Sequence, residues 1–410
     1  MRGVIIDSLA KLLEPCDPEE FLASVWGKTY KHVRGRAGKF AALMPWEQLN
    51  YILRRHRLDH PRLRLVEDGA GVPASDYLRY VSGRRGRVIP RLRAAELTAL
   101  LARGSTLVLD AVDELHEPTE TLAATLEHFF HERVQINLYA GWHASRGFDL
   151  HWDDHDVFVL QVTGRKRWSV YGETRVNPSA GEVVPRPTGE PLWEGVLEDG
   201  DLLYIPRGWW HVAIPLNEPT LHLTAGVHNR TGLDLLRWLS ERLADSDLIR
   251  RDLPRFKSAE ERASHAAALR RELLDAWTDD LTERFFRDLD RRALARPHLS
   301  LPWSPTRDVL PDDEGARLRL VAPRPLELKE TADGALEFEC LGRRWRFAQA
   351  ARTVLAALAE KRSCTVAELC ETAQDGGADA ETIRRFLGEL LRHGLVAIET
   401  HADMEDGARR

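Results

Sequence analysis

From residue 8 to about 60 the apolar positions recur at helical spacing, as in FLASVWGKTY and MPWEQLNYILRRH, with Pro and Gly dividing the run into short helices. Residues 62–90 are rich in Gly, Pro and Arg with short extended pieces, and RAAELTALLARG at 93–104 reads as a helix ended by Gly104. A strand, STLVLDAV, leads to the helix PTETLAATLEHFFHER, which has Pro118 near its start and acidic residues where they suit the helix dipole. Over 133–228 the period shortens to two: VQINLYA, FDLHWDDHDVFVLQV, RKRWSVY, DLLYIP and TLHLTAGV are strand-like runs separated by Gly, Pro and Asn. Short strands at this density predict a closed sandwich or barrel.

Between 232 and 297 the pattern returns to charged amphipathic helices, which need a partner surface. PWSPTRDVLPDDEG, 302–315, reads as a linker. LRLVAP, LELKE and LEFECLGRRWRF then read as strands, followed by three helices, the second opening with a capping box from Thr365 to Glu368. The last helix carries one stripe, Ile383, Phe386, Leu387, Leu390 and Leu391, with Gly394 at its C-terminal cap and the strand LVAIET after it. Short helices closed by a strand suggest a winged helix. There is no internal repeat.

At 410 residues with 43% hydrophobic content, the chain is long enough for two or three domains with real cores. The 58 basic and 64 acidic residues leave a net charge of -6, which gives no hint of a polyanionic partner, so a nucleic-acid role would need a local basic patch. MRGVIIDSLAKLLEP lacks the apolar core of a secretion signal, and no run of about eighteen apolar residues could span a membrane. Cys16, Cys340, Cys364 and Cys370 are scattered without a CxxC pair, so neither a disulfide framework nor a zinc ribbon is suggested. The expectation is a soluble cytoplasmic protein.

Candidate chemistry gathers at HWDDHDVFVLQVTGRKRW, 151–168, where five ionisable side chains precede an apolar run. Residues two apart on a strand face the same way, so His151 and Asp153 could hold one ion, with His211, after DGDLLYIPRGWW, the best candidate for a third ligand. Two histidines and a carboxylate make the facial triad of non-haem Fe(II) oxygenases, which leaves coordination positions open. An HxD pair alone is weak evidence; polar residues at matching parity on neighbouring strands strengthen it. Gln135, Asn137 and Tyr139 share one face of VQINLYA, and His222 and Thr224 share one face of TLHLTAG. Such a face is either solvated or lines a barrel cavity, and spacing alone leaves both readings open.

Taken with INLYAGW upstream and GDLLYIPRGWWH downstream, HWDDHDVFVLQVTGRKRW resembles the Jumonji-C branch of the cupin fold, specifically the ribosomal oxygenase group of 2-oxoglutarate-dependent protein hydroxylases. The resemblance covers most of the chain. It implies an α+β fold: a double-stranded β-helix (cupin, jelly-roll) barrel with a helical lead-in over 1–230, a helical dimerisation region over 231–300 and a winged-helix-like domain over 301–410. It implies that His151, Asp153 and His211 ligate Fe(II), and that Lys166 pairs with the distal carboxylate of 2-oxoglutarate. Asn137, Tyr139 and Thr224 match positions that line the cosubstrate site. A cation such as Lys166 answers a physical need, since a carboxylate in a dry barrel must be paired.

The same resemblance implies oxidative decarboxylation of 2-oxoglutarate with O2, a protein or peptide substrate and a homodimer, with Arg and His of ribosomal proteins the group's known targets. His155 stands as far from Asp153 as His151 does and could ligate in its place; a role around the metal or toward the substrate is favoured, because the group commonly has an aromatic there. Asp154 and Asp156 read as turn or surface residues which, with Glu182, could attract a basic substrate. Trp209 and Trp210 read as packing at the barrel mouth, His222 as a satisfied core histidine, and His128, His131 and His143 as structural or exposed. The same ligands would also accept zinc or nickel.

Two other functions use the same features. An N-methyl-lysine demethylase would share the iron centre, and a DNA-binding regulator would pair a ligand-sensing barrel with the winged helix. Residues 351–410 hold eight Lys or Arg against eleven Asp or Glu, with only Arg384, Arg385 and Arg392 on the candidate recognition helix, which disfavours DNA.

Overall fold

Apolar residues at every second position give the strands of the first half two distinct faces, and the way those faces are covered organises the fold. The computed structural model describes residues 6–82, 88–306, 310–374 and 379–399, and the chain divides into two units, Met1–Asn229 and Arg230–Arg410. The first unit contains β1 (Lys31–Val33), β2 (Leu63–Glu67), β3 (Ala70–Gly71), β4 (Leu78–Ser82), β5 (Val88–Leu92), β6 (Thr106–Leu109) and β7 (Val134–Gly141). It continues with β8 (Asp156–Thr163), β9 (Lys166–Glu173), β10 (Trp193–Leu197), β11 (Leu202–Ile205), β12 (Trp209–Pro215) and β13 (Thr220–Val227). Among the described residues these form a major sheet in the order β1-β11-β8-β13-β7-β6-β2-β3, a minor sheet β10-β9-β12, and the separate pair β4-β5. The two larger sheets are the halves of a double-stranded β-helix.

The major sheet's outer face is apolar and dry. Ile136, Leu138, Phe158, Leu160, Tyr204, Leu221 and Leu223 pack with Leu12, Leu13, Phe21, Leu122 and Leu126 in one buried cluster. The helices on this face are α1 (Leu9–Leu13), α2 (Pro18–Ser24), α3 (Trp46–Arg55), α4 (Ala94–Arg103) and α5 (Glu117–Phe130). Each begins or ends for a local reason: Asp17 accepts from Glu20 N at 2.8 Å to cap α2, and Gly104 ends α4 with φ 116°. On the inner face, Val157, Val159, Leu203 and Ile205 meet Trp168, Val170 and Leu197 of the minor sheet. With Ile136, Leu138, Leu221 and Leu223 committed to the helices, the alternation turns Gln135, Asn137, Tyr139, His222 and Thr224 inward. The polar face that could have been solvated is the one that lines the barrel.

Some local expectations change. The helical lead-in also supplies a strand, β1, which pairs Lys31–Val33 with Leu202–Tyr204. HWD is not part of a strand, because β8 starts only at Asp156 and the chain bends at residues 154 and 155; His151 instead makes an isolated bridge to His211. His211 lies inside β12 rather than on a turn after a strand.

The second unit begins with α6 (Gly232–Leu243), α7 (Asp247–Arg250), α8 (Ala259–Ala276) and α9 (Leu281–Arg292). Trp238, Leu239, Leu281 and Phe285 form a small core there, and buried Asp288 accepts from Trp238 Nε1 at 2.9 Å. Beyond it lie β14 (Arg317–Leu320), β15 (Lys329–Glu330), β16 (Leu336–Cys340), β17 (Arg343–Phe347), α10 (Arg352–Lys361), β18 (Ser363–Thr365), α11 (Val366–Gln374), α12 (Ala380–Arg392) and β19 (Val396–Ile398). Their sheets are β18-β14-β19 and β15-β16-β17. The capping box at α11 is made, with Thr365 N to Glu368 Oε2 at 2.8 Å and Glu368 N to Thr365 Oγ1 at 3.1 Å. Of the expected linker, 307–309 lie outside the described residues, while Leu310 is buried in this unit's core. No helix among the described residues is long and apolar enough to cross a membrane.

Candidate metal centre

His151 and His211 are held to each other through the backbone. His211 N donates to His151 O at 2.8 Å and His151 N to His211 O at 3.2 Å, and a register shift between Trp210 and His211 turns the imidazole inward. His151 Nδ1 lies 2.8 Å from Asp149 O and His211 Nδ1 3.0 Å from Trp209 O. A carbonyl oxygen only accepts, so each Nδ1 carries the proton and each Nε2 keeps a lone pair for a metal. Asp153 Oδ2 stands 3.5 Å from His211 Nε2, and one ligand atom from each of His151, Asp153 and His211 falls within 4.8 Å of the others. Gly208 N donates to Asp153 O at 2.8 Å, tying the turn before β12 to this segment.

Burial and the His151 imidazole push His211 down to about 4. Burial opposes ionisation of Asp153, yet the imidazoles of His211 and His151 hold its carboxyl below the usual range. Two imidazoles that present Nε2 and one carboxylate can bind a divalent cation and leave coordination positions open.

Along β9 from the triad, Trp168 lies with its ring 6.1 Å from that of His211, and the Lys166 ammonium stands 5.9 Å from the Trp168 ring. Lys166 is buried, 6% exposed. Burial alone pushes it down to about 7, because no hydrogen bond or ion pair reaches it among the described residues. Opposite, His222 stacks on Tyr139 at 4.9 Å and meets Trp168 edge-on at 5.4 Å. Trp168 Nε1 and His222 Nδ1 are buried without a partner. Burial, then Lys166, holds His222 well below the usual imidazole range, and burial, then Asp153, raises Tyr139 to about 12.

Asn137 and Thr224 are cross-strand partners on this wall, as are Tyr139 and His222. Asn137 Oδ1 is already engaged by Ala111 N at 3.0 Å and Gln135 Nε2 at 2.8 Å, so this side chain braces the wall.

Two expectations are corrected here. Asp156 is not a surface residue: it is 3% exposed and accepts from Tyr204 Oη at 2.6 Å and from Asn229 Nδ2. The outward parity that suggested solvent exposure points instead into the face covered by helices. His222 is a buried histidine but not a satisfied one. Reading parity on β9 and β13 together would have found both it and Trp168, since Lys166 and Trp168 are two apart.

His155 stands apart from the triad, grouped with Asp154 and His228. Half-buried Glu182 pairs with Arg175 at 2.8 Å. Trp210 is buried and donates from Nε1 to Thr174 Oγ1 at 2.9 Å, and Trp209 packs near Tyr30 at 6.2 Å. His128, His131 and His143 belong to neither metal-ligating group found among the described residues.

Residues 113–235 match the JmjC domain family. The chain is 30% identical over 231 residues to a bifunctional lysine-specific demethylase and histidyl-hydroxylase, NO66, of Drosophila willistoni, covering 54% of this chain and 29% of that protein. The Drosophila yakuba protein of the same name is 30% identical over 258 residues, covering 59% and 36%. The chain therefore spans about a third of the length of these curated relatives. Among solved structures, the Escherichia coli ribosomal oxygenase YcfD superposes with a TM-score of 0.55 at 20% identity, over 94% of this chain and 99% of that one. Its complex with cobalt and 2-oxoglutarate gives 0.56 at 19% identity, over 94% and 99%.

Proposed function

From the JmjC domain that this chain carries, we propose that it is an Fe(II)- and 2-oxoglutarate-dependent oxygenase that hydroxylates a side chain of a protein or peptide. One observation carries the reading: a two-histidine, one-aspartate cluster opens into a barrel whose inner wall also holds a buried ammonium without an acceptor. The residues fit the group. His151, Asp153 and His211 present ligand atoms of the right type and tautomer, and Lys166, Trp168 Nε1 and His222 Nδ1 are polar atoms lacking the partner that a dicarboxylate would provide.

Fe(II) with 2-oxoglutarate and O2 supplies the oxidising chemistry when bound, yielding succinate and CO2. The protein's own part is placement and exclusion of water. His151, Asp153 and His211 would hold the metal. Lys166 would fix the far carboxylate of the cosubstrate by a charge-assisted bond. Tyr139 and Thr224, hydrogen-bonded to each other, and Asn137 form the wall beside it. Trp168, whose ring lies 6.1 Å from that of His211 and 5.9 Å from the Lys166 ammonium, walls this space and keeps water out.

The relatives named above are a bifunctional lysine-specific demethylase and histidyl-hydroxylase and a ribosomal oxygenase, which supports a His side chain of a ribosomal protein as the target, with Arg the other target that the resemblance implies and N-methyl-lysine the alternative. We assign 1–230 to the oxygenase domain, 231–300 to homodimerisation and 301–410 to a winged-helix-like domain of a cytoplasmic protein. The dimer is supported by exposed Leu233, Leu236, Leu274 and Trp277 on or beside α6 and α8. DNA binding is not supported, since Arg344 and Arg346 of β17 are paired to Glu339 and Glu337.

The test is incubation with Fe(II), 2-oxoglutarate, O2 and a panel of His- and Arg-containing ribosomal-protein peptides. Succinate formed together with one added oxygen on the peptide is expected. Formaldehyde release from an N-methyl-lysine peptide would favour demethylation, and succinate in neither case would reject the assignment.

A further inference from the structure

Outside the triad, Asp154, His155 and His228 form a second cluster of metal-ligating side chains, one atom from each within 4.8 Å of the others. Strand register brings them together. Val227 of β13 pairs with Asp156 of β8, so the next residues beyond the sheet, His228 and His155, face each other across two adjacent strand ends. Their rings lie 4.4 Å apart at 34°. His155 Nδ1 stands 3.0 Å from Asp154 Oδ1, and two ligands about 2.1 Å from one cation at a tetrahedral angle are about 3.4 Å apart.

The ring of His155 is also held in place. A Cβ on Gly226 would lie 2.6 Å from His155 Cδ2 and 2.7 Å from Nε2, so glycine is what allows the imidazole to lie over β13. That contact occupies the Nε2 edge and leaves Nδ1 toward Asp154. Side-chain exposures of 22% for His155 and 40% for Asp154 leave one flank open for water ligands. Asp153 of the first cluster is followed directly by Asp154 and His155 of the second, so the two clusters share this stretch of chain.

We propose that Asp154, His155 and His228 bind a second divalent cation, of the first-row class that Zn(II) represents, separate from the centre formed by His151, Asp153 and His211. Two imidazoles and one carboxylate select such ions over Mg²⁺ and Ca²⁺, which prefer oxygen. A cation here pins the loop that carries Asp153 to the end of β13.

The experiment uses the metal-free full-length chain and Zn(II) alone at neutral pH, with bound zinc counted by elemental mass spectrometry after gel filtration. The wild type is expected to hold two zinc ions per chain. His228→Ala and Asp154→Ala, both at exposed positions, are each expected to hold one, and the Asp153→Ala/His211→Ala double variant is expected to keep one. A wild type that holds a single ion, a His228→Ala protein that keeps two, or a double variant that keeps none overturns the proposal.

Discussion

Lys39, beneath the helical lead-in, and Lys166, between the two sheets, are 4% and 6% exposed. Lys39 donates to Leu12 O at 2.7 Å and Glu14 O at 2.8 Å. Burial lowers it to about 8, with the Glu14 charge offsetting part of the effect. Lys166 has no such acceptor among the described residues, and burial lowers it to about 7. The first lysine staples two segments of chain. The second costs stability in the free protein, and a fold retains such a group when a ligand completes it. Asp288 of the second unit resembles Lys39: Trp238 and Arg291 donate to it, and Arg242 and Arg292 pair with it at 3.0 and 3.2 Å.

The largest effect expected from this contrast lies at the metal end. Asp153→Ala should lower turnover by at least about a hundredfold, beyond what loss of a group merely supporting a ligand costs, while far-UV circular dichroism stays unchanged; retained turnover would separate the triad from the chemistry. Next, Lys166→Met should weaken 2-oxoglutarate binding by roughly 10- to 100-fold, the worth of one charge-assisted bond. The same variant should raise the stability of the ligand-free protein by roughly 2–4 kcal/mol, since it removes a charge whose pKa is displaced by several units. Lys39→Met should do the opposite. Stability falls by about 1–3 kcal/mol because two buried carbonyls lose their donor, and cosubstrate affinity is unmoved; urea denaturation with 2-oxoglutarate titration scores both variants.

Proton linkage gives a smaller signal. Free Lys166 is charged below about 7 and neutral above it, and a bound carboxylate favours the ammonium. Binding should therefore take up a proton above pH 7 and weaken as pH rises, with little pH dependence below 7. Calorimetry in buffers of different ionisation heat measures that uptake, which Lys166→Met should abolish. The smallest effect concerns Asp288. Burial opposes its ionisation, but hydrogen bonds from Arg291, Trp238 and Arg242 outweigh that and lower it to about 2. Its contribution is complete above the ordinary Asp range near 4 and is lost as pH falls through 2. Asp288→Asn should flatten the acid limb of the second unit's unfolding curve between those values.

Alternation alone revealed a two-faced strand: Gln135, Asn137 and Tyr139 share a parity opposite to Val134, Ile136 and Leu138. Which face was inside could not be read locally, because it depends on the helices α1 to α5 covering the other one. For the same reason Asp156 looked exposed. His151 and His211 are sixty residues apart in sequence and meet through a single β-bridge that no short pattern encodes, so resemblance rather than periodicity joined them. His222 read as a satisfied core histidine and Trp168 drew no notice, because their unpartnered nitrogens become visible only once their neighbours are placed. His228 drew no notice, since the register that sets it against His155 spans two strands.

The most direct measurement is an anaerobic titration of 2-oxoglutarate into the Fe(II)-loaded protein, followed by the visible absorption of the complex. A saturable band in the wild type, a midpoint shifted at least about tenfold upward in Lys166→Met and no band in Asp153→Ala are predicted. A Lys166→Met protein that binds 2-oxoglutarate as tightly as the wild type would contradict the claim that its buried ammonium awaits the cosubstrate.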